Sequence, residues 1–512
     1  MKGCPKMRFT NRRMRFRSLP IRYLIPIMLI FYTIIMVLIQ LGIPDKRLFL
    51  EKFDGIFPND LELIKGYTLN SESYVSVKTE YFQLQKGPNY FPVHKEYSKQ
   101  VNGIYATNVN KNGETFIKVG NVSVFSVYFD NRPSIIPNMR IIALKQFLSE
   151  ENLVCHFENK GRWIAITAES YEMCENHGRF YGGWIYSCKI PINFLQKSSK
   201  ISTLYLSSTF LLNIREKFNI TAKTMIYKSD KLWIQRHTQI KQQIKIQHKG
   251  NFGMCLPPLF GDISLSLLIQ FIELSKILGA THFTFYKHNI SETVEKILSY
   301  YQNLGEVEVV NWKLPPEVSE REIWYHGQIL AIQDCLYRNM ARFEYLIFVD
   351  IDEFIIPKNE MTWIEMLNFN TNNNNKLELI AGYSFKSAFF DPKQIPDMSQ
   401  QLTFLQLLQR NVIYSTLRTK LIVRPQMVFE MGIHHASKLL NMNFTVLEIK
   451  PEIAIIHHYR PCVINYEPTM KCYKSVRDDT ILKYEEVLVE QYKAIVRNTV
   501  KLFVPKNDFN SN

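Results

Sequence analysis

The stretch that decides the fold is Tyr345-Leu-Ile-Phe-Val-Asp350-Ile-Asp352-Glu353-Phe-Ile-Ile-Pro357. Five mostly apolar residues lead directly into a group of three carboxylates. A continuous apolar run is typical of a strand in the centre of a parallel sheet, because such a strand is covered on both faces. Ligands of these sheets bind just beyond the carboxyl ends of the strands. The stretch therefore predicts a buried strand that carries Asp350 and Asp352 to a ligand-binding edge.

The spacing of Asp350 and Asp352 favours a metal ion. In extended backbone, side chains two residues apart point the same way, so the two carboxylates would repel each other unless a cation lay between them. Acidic strand ends also occur in Walker B segments, phosphohydrolases and structural N-caps. However, the chain has no G-x-x-x-x-G-K-[ST] loop to accompany a Walker B segment, and Phe354 stands where haloacid-type phosphatases have Thr or Val. The prediction is a site for Mn²⁺ or Mg²⁺, which both favour oxygen ligands.

The region around this stretch predicts an α/β fold with a mainly parallel sheet. Before it, short apolar strands alternate with helical patterns from about residue 250 onward. Because four strands alternate with three helices in about 100 residues, we expect right-handed βαβ units, with the acidic pair at the end of the fourth strand. The predicted strands are residues 253–257, 282–286, 307–310 and 345–349, and the predicted helices are residues 265–278, a helix that begins near Asn289 or Ser291, and residues 323–340.

The N-terminus predicts a membrane anchor. Residues 1–22 hold eight of the 62 basic residues and no acidic residue, so the remaining chain carries 54 − 47 = +7. Residues 23–43 contain no charge, and a helix of that length spans roughly the 30 Å hydrocarbon core of a bilayer. The positive-inside rule then leaves residues 1–22 in the cytosol and gives a single-pass type II protein. Because the basic run lies beside a membrane, nucleic-acid binding is not expected.

The remaining organisation follows from pattern and composition. Residues 44–112 read as a stem, 113–245 as a β-rich lumenal accessory domain, 246–465 as the α/β domain and 466–512 as a helical C-terminal tail. Within the accessory domain, a structural ion pair is the expected role of Asp130 and Arg132. Sequons at Asn121, Asn219, Asn289 and Asn443 agree with a lumenal body. Beyond the anchor there are seven cysteines, so at least one thiol should stay free or pair between chains, and the helical Cys335 is the expected free one.

Basic and histidine-rich segments follow the acidic pair. His458 comes just after an apolar strand and is the best-placed imidazole ligand for the metal, with His434 as a second candidate and His435 and His457 beside them. Lys420, Arg424 and Arg460 supply positive charge suited to a phosphate pocket.

This combination suits a sugar nucleotide, whose diphosphate leaving group a cation can neutralise. If the reaction inverts the anomeric carbon, a carboxylate must take the proton from the acceptor hydroxyl. Asp391, Glu430 and Glu353 are the candidates for this base. Asp391 is preferred because it follows an aromatic run that could pack under an acceptor sugar.

Five segments together resemble the family 92 glycosyltransferases: residues 128–132, 253–260, 326–338, 345–357 and 458–460. The resemblance implies a GT-A fold, a nucleotide-diphosphate sugar donor, a Mn²⁺-type ion on Asp350 and Asp352, and residence in the Golgi membrane as a type II protein. It also implies transfer of β-linked galactose from UDP-galactose to glycans, including core fucose on N-glycans.

Two other functions compete with this one. The chain could be a membrane-anchored glycan-binding protein in which the same fold has lost turnover, or a lumenal metal-dependent phosphohydrolase acting on nucleotides. Intact Asp350 and Asp352 argue against the first, and neither alternative predicts the order of the motifs. The expected partners are a nucleotide-sugar donor, a glycan acceptor and the bilayer, and the sequence leaves a homodimer open.

Overall fold

The computed structural model describes residues 116–132, 135–159, 162–191, 203–208, 216–219, 252–371, 377–392, 402–462 and 472–499. The predicted cytosolic segment, membrane anchor and stem lie outside these ranges. Within them, no helix is both long enough and apolar enough to cross a membrane.

Two antiparallel sheets make up the described part of the region before residue 220. The first sheet has the strand order β1-β2-β3-β7-β6 and the second the order β5-β4-β8-β9. They share an apolar core that includes the buried disulfide between Cys155 and Cys188. The strands are β1 (Ile117–Val119), β2 (Val122–Asp130), β3 (Asn138–Gln146), β4 (Val154–Asn159), β5 (Arg162–Thr167), β6 (Glu169–Glu172), β7 (Tyr181–Lys189), β8 (Thr203–Ser207) and β9 (Glu216–Asn219).

A mixed nine-stranded sheet forms the centre of the second region, in the order β12-β11-β10-β13-β17-β15-β21-β14, with β20 beside β15. Its strands are β10 (Phe252–Phe260), β11 (Ala280–Asn289), β12 (Val307–Asn311), β13 (Tyr345–Phe348), β14 (Glu353–Pro357), β15 (Ile380–Phe389), β17 (Ser415–Val423), β20 (Thr445–Glu448) and β21 (Ala454–His458). Short pairs are formed by β16 (Gln409–Asn411) with β22 (Ser475–Arg477), and by β18 (Val428–Glu430) with β19 (Lys438–Leu439).

The four predicted strands are present and parallel, and the sheet is mainly parallel, as predicted, with two reversed strands. β10 pairs in parallel with both β11 and β13, and β11 pairs in parallel with β12. β15 also pairs in parallel with β20 and β21, whereas β17 runs antiparallel to both β13 and β15. A further strand follows the acidic residues: β14 lies at the far edge of the sheet and pairs antiparallel with β21.

Helices cover both faces of this sheet. They are α1 (Leu265–Leu278), α2 (Glu292–Asn303), α3 (Gln328–Asn339), α4 (Trp363–Thr371), α5 (Thr403–Gln406) and α6 (Glu485–Thr499). The first begins after Ser264 and the second after Ser291, whose hydroxyls accept from backbone N–H groups and satisfy donors that have no intrahelical partner. Side chains of α1, α2 and α6 belong to one apolar core, and side chains of α3 belong to the core on the other face.

The helix predicted to begin at residue 323 instead starts at Gln328. A 3₁₀ turn, Trp324–Gly327, precedes it, and Tyr325 and His326 adopt left-handed backbone with φ of 42° and 54°. Few non-glycine residues adopt this conformation. Hydrophobic periodicity does not register such a break, because the apolar spacing continues across it.

The prediction that Cys335 is a free thiol is wrong. Cys335 lies on α3 and forms a disulfide with Cys255 on β10, with a Cα–Cα distance of 5.8 Å. The helix packs directly on this strand, so the buried face that suggested a small apolar side chain is also the face that meets Cys255. The described part of the chain contains no free cysteine.

The predicted structural role of Asp130 and Arg132 is confirmed. Asp130 is fully buried, and its carboxylate accepts from Arg132 (2.9 Å) and Arg140 (3.0 Å). Burial alone would raise the pKa of Asp130, but the two guanidinium groups hold it below its usual value. Arg132 also donates to the carbonyl of Val428 at 2.8 Å. The pair therefore joins the β-rich region to the α/β region.

Candidate active site

Asp350 lies at the carboxyl edge of the parallel strands, beside a topological switch point. The order β12-β11-β10-β13 places the first strand of the series between the second and the fourth. The chain therefore leaves β10 toward β11 on one side and leaves β13 toward β14 on the other side. This divergence opens a crevice at the carboxyl ends of β10 and β13. This confirms the expected position of the acidic pair.

The connection from β13 to β14 is a tight turn that carries Asp350 and Asp352. The N–H of Glu353 donates to the carbonyl of Asp350 at 3.1 Å, which closes a four-residue turn. In a flat sheet β13 and β14 would be four strand spacings apart, about 19 Å. A turn this short spans less, so the sheet must curl until its β14 edge approaches β13. Curling brings β21, the neighbour of β14, and its histidines to the acidic turn.

Lys420 is the buried counter-ion of this turn. Its Nζ lies 3.1 Å from Asp350 Oδ2 and 3.1 Å from Glu353 Oε2. Only 3% of the Lys420 side chain and 1% of the Glu353 side chain are exposed, whereas Asp350 and Asp352 are 34% and 37% exposed. Glu353 also accepts from the N–H of Asp350 at 2.9 Å. Glu353 and Lys420 therefore hold the turn from behind, and the two aspartates face the crevice.

The electrostatics of the turn leave an excess of negative charge. Burial would lower the pKa of Lys420, but Asp350 and Glu353 raise it above its usual value, so the ammonium is charged. Burial would raise the pKa of Asp350, but Lys420 and then His458 lower it. Burial raises the pKa of Glu353, although Lys420 opposes this change. Asp350, Asp352 and Glu353 thus share one ammonium group. A divalent cation would balance this charge.

His458 places a buried ring nitrogen beside the acidic turn. It is the register partner of Glu353 across β14 and β21, and its Nδ1 lies 3.3 Å from Glu353 Oε1 and 3.4 Å from the hydroxyl of Ser387. Its Nε2 is buried and has no hydrogen-bond partner among the described residues, although Asp352 Oδ2 is 3.5 Å away. A buried nitrogen without a partner is costly and calls for an explanation.

The pair of Asp352 and His458 fits a divalent metal. Two ligands of one ion with bonds of about 2.0–2.2 Å lie roughly 3 Å apart, close to the observed 3.5 Å. An oxygen and an imidazole nitrogen are ligands that Mn²⁺ accepts. Asp350 is already paired with Lys420. The protein would thus supply few ligands directly, and the other positions would be open to phosphate and water.

His434 lies close to the same turn, as predicted. Its Nδ1 lies 3.1 Å from the carbonyl of Thr419, the residue before Lys420. Burial first, and then the charge of Lys420, lower the pKa of His434 to about 3. The ring is therefore neutral, and donation from Nδ1 would leave the lone pair on Nε2. His457, the residue before His458 on β21, instead stacks on Phe390, with ring centroids 4.4 Å apart.

The predicted anion-binding residues do not all meet here. Arg460 does lie beside the site, because its backbone N–H donates to the carbonyl of His458 at 3.0 Å. The buried Nε of its guanidinium group has no hydrogen-bond partner among the described residues. Arg424 does not lie beside the site, contrary to prediction. It follows Val423, the register partner of Leu346 near the start of β13, and it donates to main-chain carbonyls there. Since β17 runs antiparallel to β13, its last residue falls at the edge opposite to Asp350.

The three candidate bases lie in different surroundings. Asp391 is partly exposed and lies two residues beyond Phe389, the register partner of His458. Glu353 is buried against Lys420. Glu430 is fully buried and accepts from the hydroxyl of Tyr171 at 2.7 Å, and burial raises its pKa to about 7.

The fold and the acidic turn place this region among α/β proteins that bind a ligand at the carboxyl ends of parallel strands. Residues 250–492 match the family model described as glycosyltransferase family 92. The match confirms the resemblance of the motifs to that family.

Similar proteins include the β-1,4-galactosyltransferase galt-1 of Caenorhabditis elegans, 24% identical over 352 residues that cover 66% of this chain and 73% of that protein. The galactan β-1,4-galactosyltransferase GALS2 of Arabidopsis thaliana is 23% identical over 310 residues, 59% of this chain and 57% of that protein. Among solved structures, the chain is similar to S. aureus TarS 1–349 in complex with UDP. The match covers 50% of this chain and 76% of the TarS chain, with 11% identity and a TM-score of 0.24.

Proposed function

We propose that this protein is a metal-dependent hexosyltransferase of the GT-A type. It transfers galactose from UDP-galactose to a glycan acceptor such as fucose on an N-glycan, with inversion of the anomeric carbon. The observation that carries the proposal is the unpartnered Nε2 of His458, which lies beside Asp352 at the switch point of the sheet. The relatives named as β-1,4-galactosyltransferases support galactose as the transferred sugar.

The donor diphosphate would bind in front of the acidic turn. Asp352 and His458 would hold Mn²⁺ or Mg²⁺, which supplies Lewis-acid stabilisation of the negative charge on the leaving diphosphate. Arg460 would add a charge-assisted hydrogen bond to a phosphate oxygen, because its buried Nε has no other partner among the described residues. Lys420 acts differently from the sequence prediction: it contacts the carboxylates and fixes their position.

Asp391 is the base that the geometry favours. Glu353 and Glu430 are both almost fully buried and engaged with Lys420 and Tyr171, so an acceptor hydroxyl could not reach either of them. Asp391 is partly exposed at the end of β15, beside the strand that carries His458. As a carboxylate, it would take the proton from the attacking hydroxyl while the bond to the diphosphate breaks.

We also propose that the protein is a type II protein of the Golgi membrane, anchored by residues 23–43. The uncharged length of this segment and the basic residues before it support the proposal. Microscopy of the tagged full chain with a Golgi marker tests the location. Protection of the C-terminus from protease in intact vesicles tests the orientation, and cleavage of that end without detergent would contradict it.

The enzymatic proposal is tested by offering the full chain, purified in detergent, a panel of sugar nucleotides with a fucosylated N-glycan in Mn²⁺. We expect transfer from UDP-galactose that chelation abolishes, and loss of transfer in Asp391→Asn with Mn²⁺ binding intact. Binding of the glycan without turnover of any donor would favour the inactive binding protein. Equal hydrolysis of nucleotides with and without acceptor, with no transferred sugar, would favour the phosphohydrolase.

A further inference from the structure

A second cluster of ligating side chains lies near the carboxyl end of β11, away from the acidic turn. His288 Nε2 lies 3.7 Å and His326 Nδ1 lies 3.5 Å from Glu320 Oε1. Within the described ranges, this is the only group of three His, Cys, Asp or Glu residues whose ligating atoms all lie within 4.8 Å of one another. Both imidazoles are mostly buried, with 14% exposed, while Glu320 is 69% exposed.

Trp312 forms hydrogen bonds with both histidines. Its carbonyl lies 3.1 Å from His288 Nδ1, and its indole N–H donates to the carbonyl of His326 at 2.8 Å. Donation from Nδ1 leaves the lone pair of His288 on Nε2, the atom nearest Glu320. Metal-binding histidines characteristically donate their other N–H to a carbonyl or carboxylate in this way. The indole of Trp312 is itself buried, so the arrangement is anchored in the core.

His326 is held in place at a cost. Its backbone is left-handed, as is that of Tyr325, and this conformation is unfavourable for residues other than glycine. Its Nδ1 is buried with no hydrogen-bond partner among the described residues. The ring packs 4.1 Å from Phe260 and 4.6 Å from His288, measured between centroids. His326 thus combines a strained backbone with an unpartnered ring nitrogen, and it lies beside a histidine and a carboxylate.

The distances suit a shared cation better than hydrogen bonds. Separations of 3.5 and 3.7 Å are too long for good N–H···O hydrogen bonds. Ligands of a tetrahedral zinc ion, with bonds of about 2.0–2.1 Å, lie about 3.3–3.4 Å apart. Only a small inward movement of the exposed Glu320 would be needed. Two histidines and one glutamate leave the fourth position open for water.

We propose that His288, Glu320 and His326 bind a divalent cation of the zinc class. Phe260, which packs on His326, is five residues beyond Cys255, the register partner of Phe348. Because Asp350 itself lies two residues beyond Phe348, the cluster is about 10 Å along and about 10 Å across the sheet from the acidic turn. This ion would tie the loop that carries Glu320 to the left-handed turn before α3. The proposal does not depend on the transferase reaction.

The test is zinc binding by the full chain in detergent, measured by competition with a chromophoric chelator. Asp352→Asn is the parent, because it removes the other candidate site. We expect one tightly bound Zn²⁺ in this parent. Glu320→Gln or His326→Gln should weaken it by more than about 100-fold, since loss of an outer-shell partner alone costs about 10–100-fold.

His282→Gln is the matched control. Its imidazole lies 3.8 Å from Glu308 and is similarly buried, but it belongs to no three-ligand group among the described residues. This variant should bind zinc like the parent. Because Glu320 is exposed, its replacement should leave the thermal unfolding of the zinc-free protein unchanged. The proposal is overturned if the parent binds zinc only in the millimolar range, or if Glu320→Gln and His326→Gln bind it as tightly as the parent.

Discussion

Replacement of Lys420 by methionine should destabilise the protein and make its stability depend on metal. Methionine preserves most of the side-chain volume but removes a positive charge. Among the described residues, Lys420 is the only Lys or Arg within 4 Å of Asp350 and Glu353. Without it, Glu353 remains buried and loses its ammonium counter-ion. The exposed Asp350 can be solvated from the crevice, so most of the penalty falls on Glu353.

The expected size follows from this burial. Removing one partner of a buried ion pair costs about 3–5 kcal/mol. In a folded body of this size each kcal/mol lowers Tm by about 1–2 °C, which gives a decrease of about 3–10 °C. Lys386→Met is the matched control, because Lys386 pairs with the 65% exposed Glu448. An exposed pair contributes only about 0–1 kcal/mol, so its loss should change Tm by less than about 2 °C.

Thermal unfolding in the presence of chelator, followed by circular dichroism, measures these changes. The double variant Lys420→Met/Glu353→Gln should recover most of the lost stability, because no buried carboxylate remains unpaired. Added Mn²⁺ should stabilise Lys420→Met more than the parent, because the cation replaces part of the missing charge. The reasoning is refuted if Lys420→Met unfolds at the parent temperature, or if Glu353→Gln does not restore stability in its presence.

Three further predictions concern stability. Cys335→Ser, which opens the bridge to Cys255 over a sequence separation of 80 residues, should cost about 4 kcal/mol in the free energy of unfolding, and an unchanged denaturant midpoint would contradict this. Burial raises the pKa of Glu430 from 4.5 to about 7, so the stabilisation from its protonated form should be full below pH 4.5 and lost as the pH rises to about 7, by roughly 1.4 kcal/mol per pH unit. Glu430→Gln should flatten that pH dependence in denaturant titrations, and a slope equal to that of the parent would exclude Glu430 as its source. Asp130→Asn should cost about 3–5 kcal/mol, because it leaves two buried guanidinium groups without their carboxylate, and a loss below 1 kcal/mol would show that the pair is dispensable.

The sequence predicted the first four strands of the sheet because its signals are local. Apolar runs, helical spacing and the N-cap Ser291 are read within a few residues, and the helix Leu265–Leu278 has the predicted bounds. The position of Asp350 at the carboxyl edge followed from the same reasoning. The reversed direction of β17 was not predicted, because the pairing of β13 with β17 joins residues far apart in the chain.

The positions of site residues that directly follow an apolar strand were predicted correctly. Residues whose position depends on contacts between distant segments were assigned wrongly or missed. His458 was recognised by its place after a strand, whereas Lys420 was assigned to phosphate because its buried pairing with Glu353 depends on strand register. Arg424 was assigned to the site because β17 was not recognised as antiparallel. The partner of Cys335 was likewise a matter of which helix face meets β10. Sequence carried no signal for the cluster at Glu320, since its members come from three separate segments.

The central claim is that Asp352 and His458 hold the metal on which sugar transfer depends. Titration of the full chain with Mn²⁺ in the presence of UDP, followed by the loss of the free-ion electron paramagnetic resonance signal, tests it directly. We predict one bound Mn²⁺ in the parent and in Asp391→Asn, and binding at least about 100-fold weaker in Asp352→Asn and His458→Gln. Mn²⁺ binding of equal strength in the parent, Asp352→Asn and His458→Gln would contradict the claim.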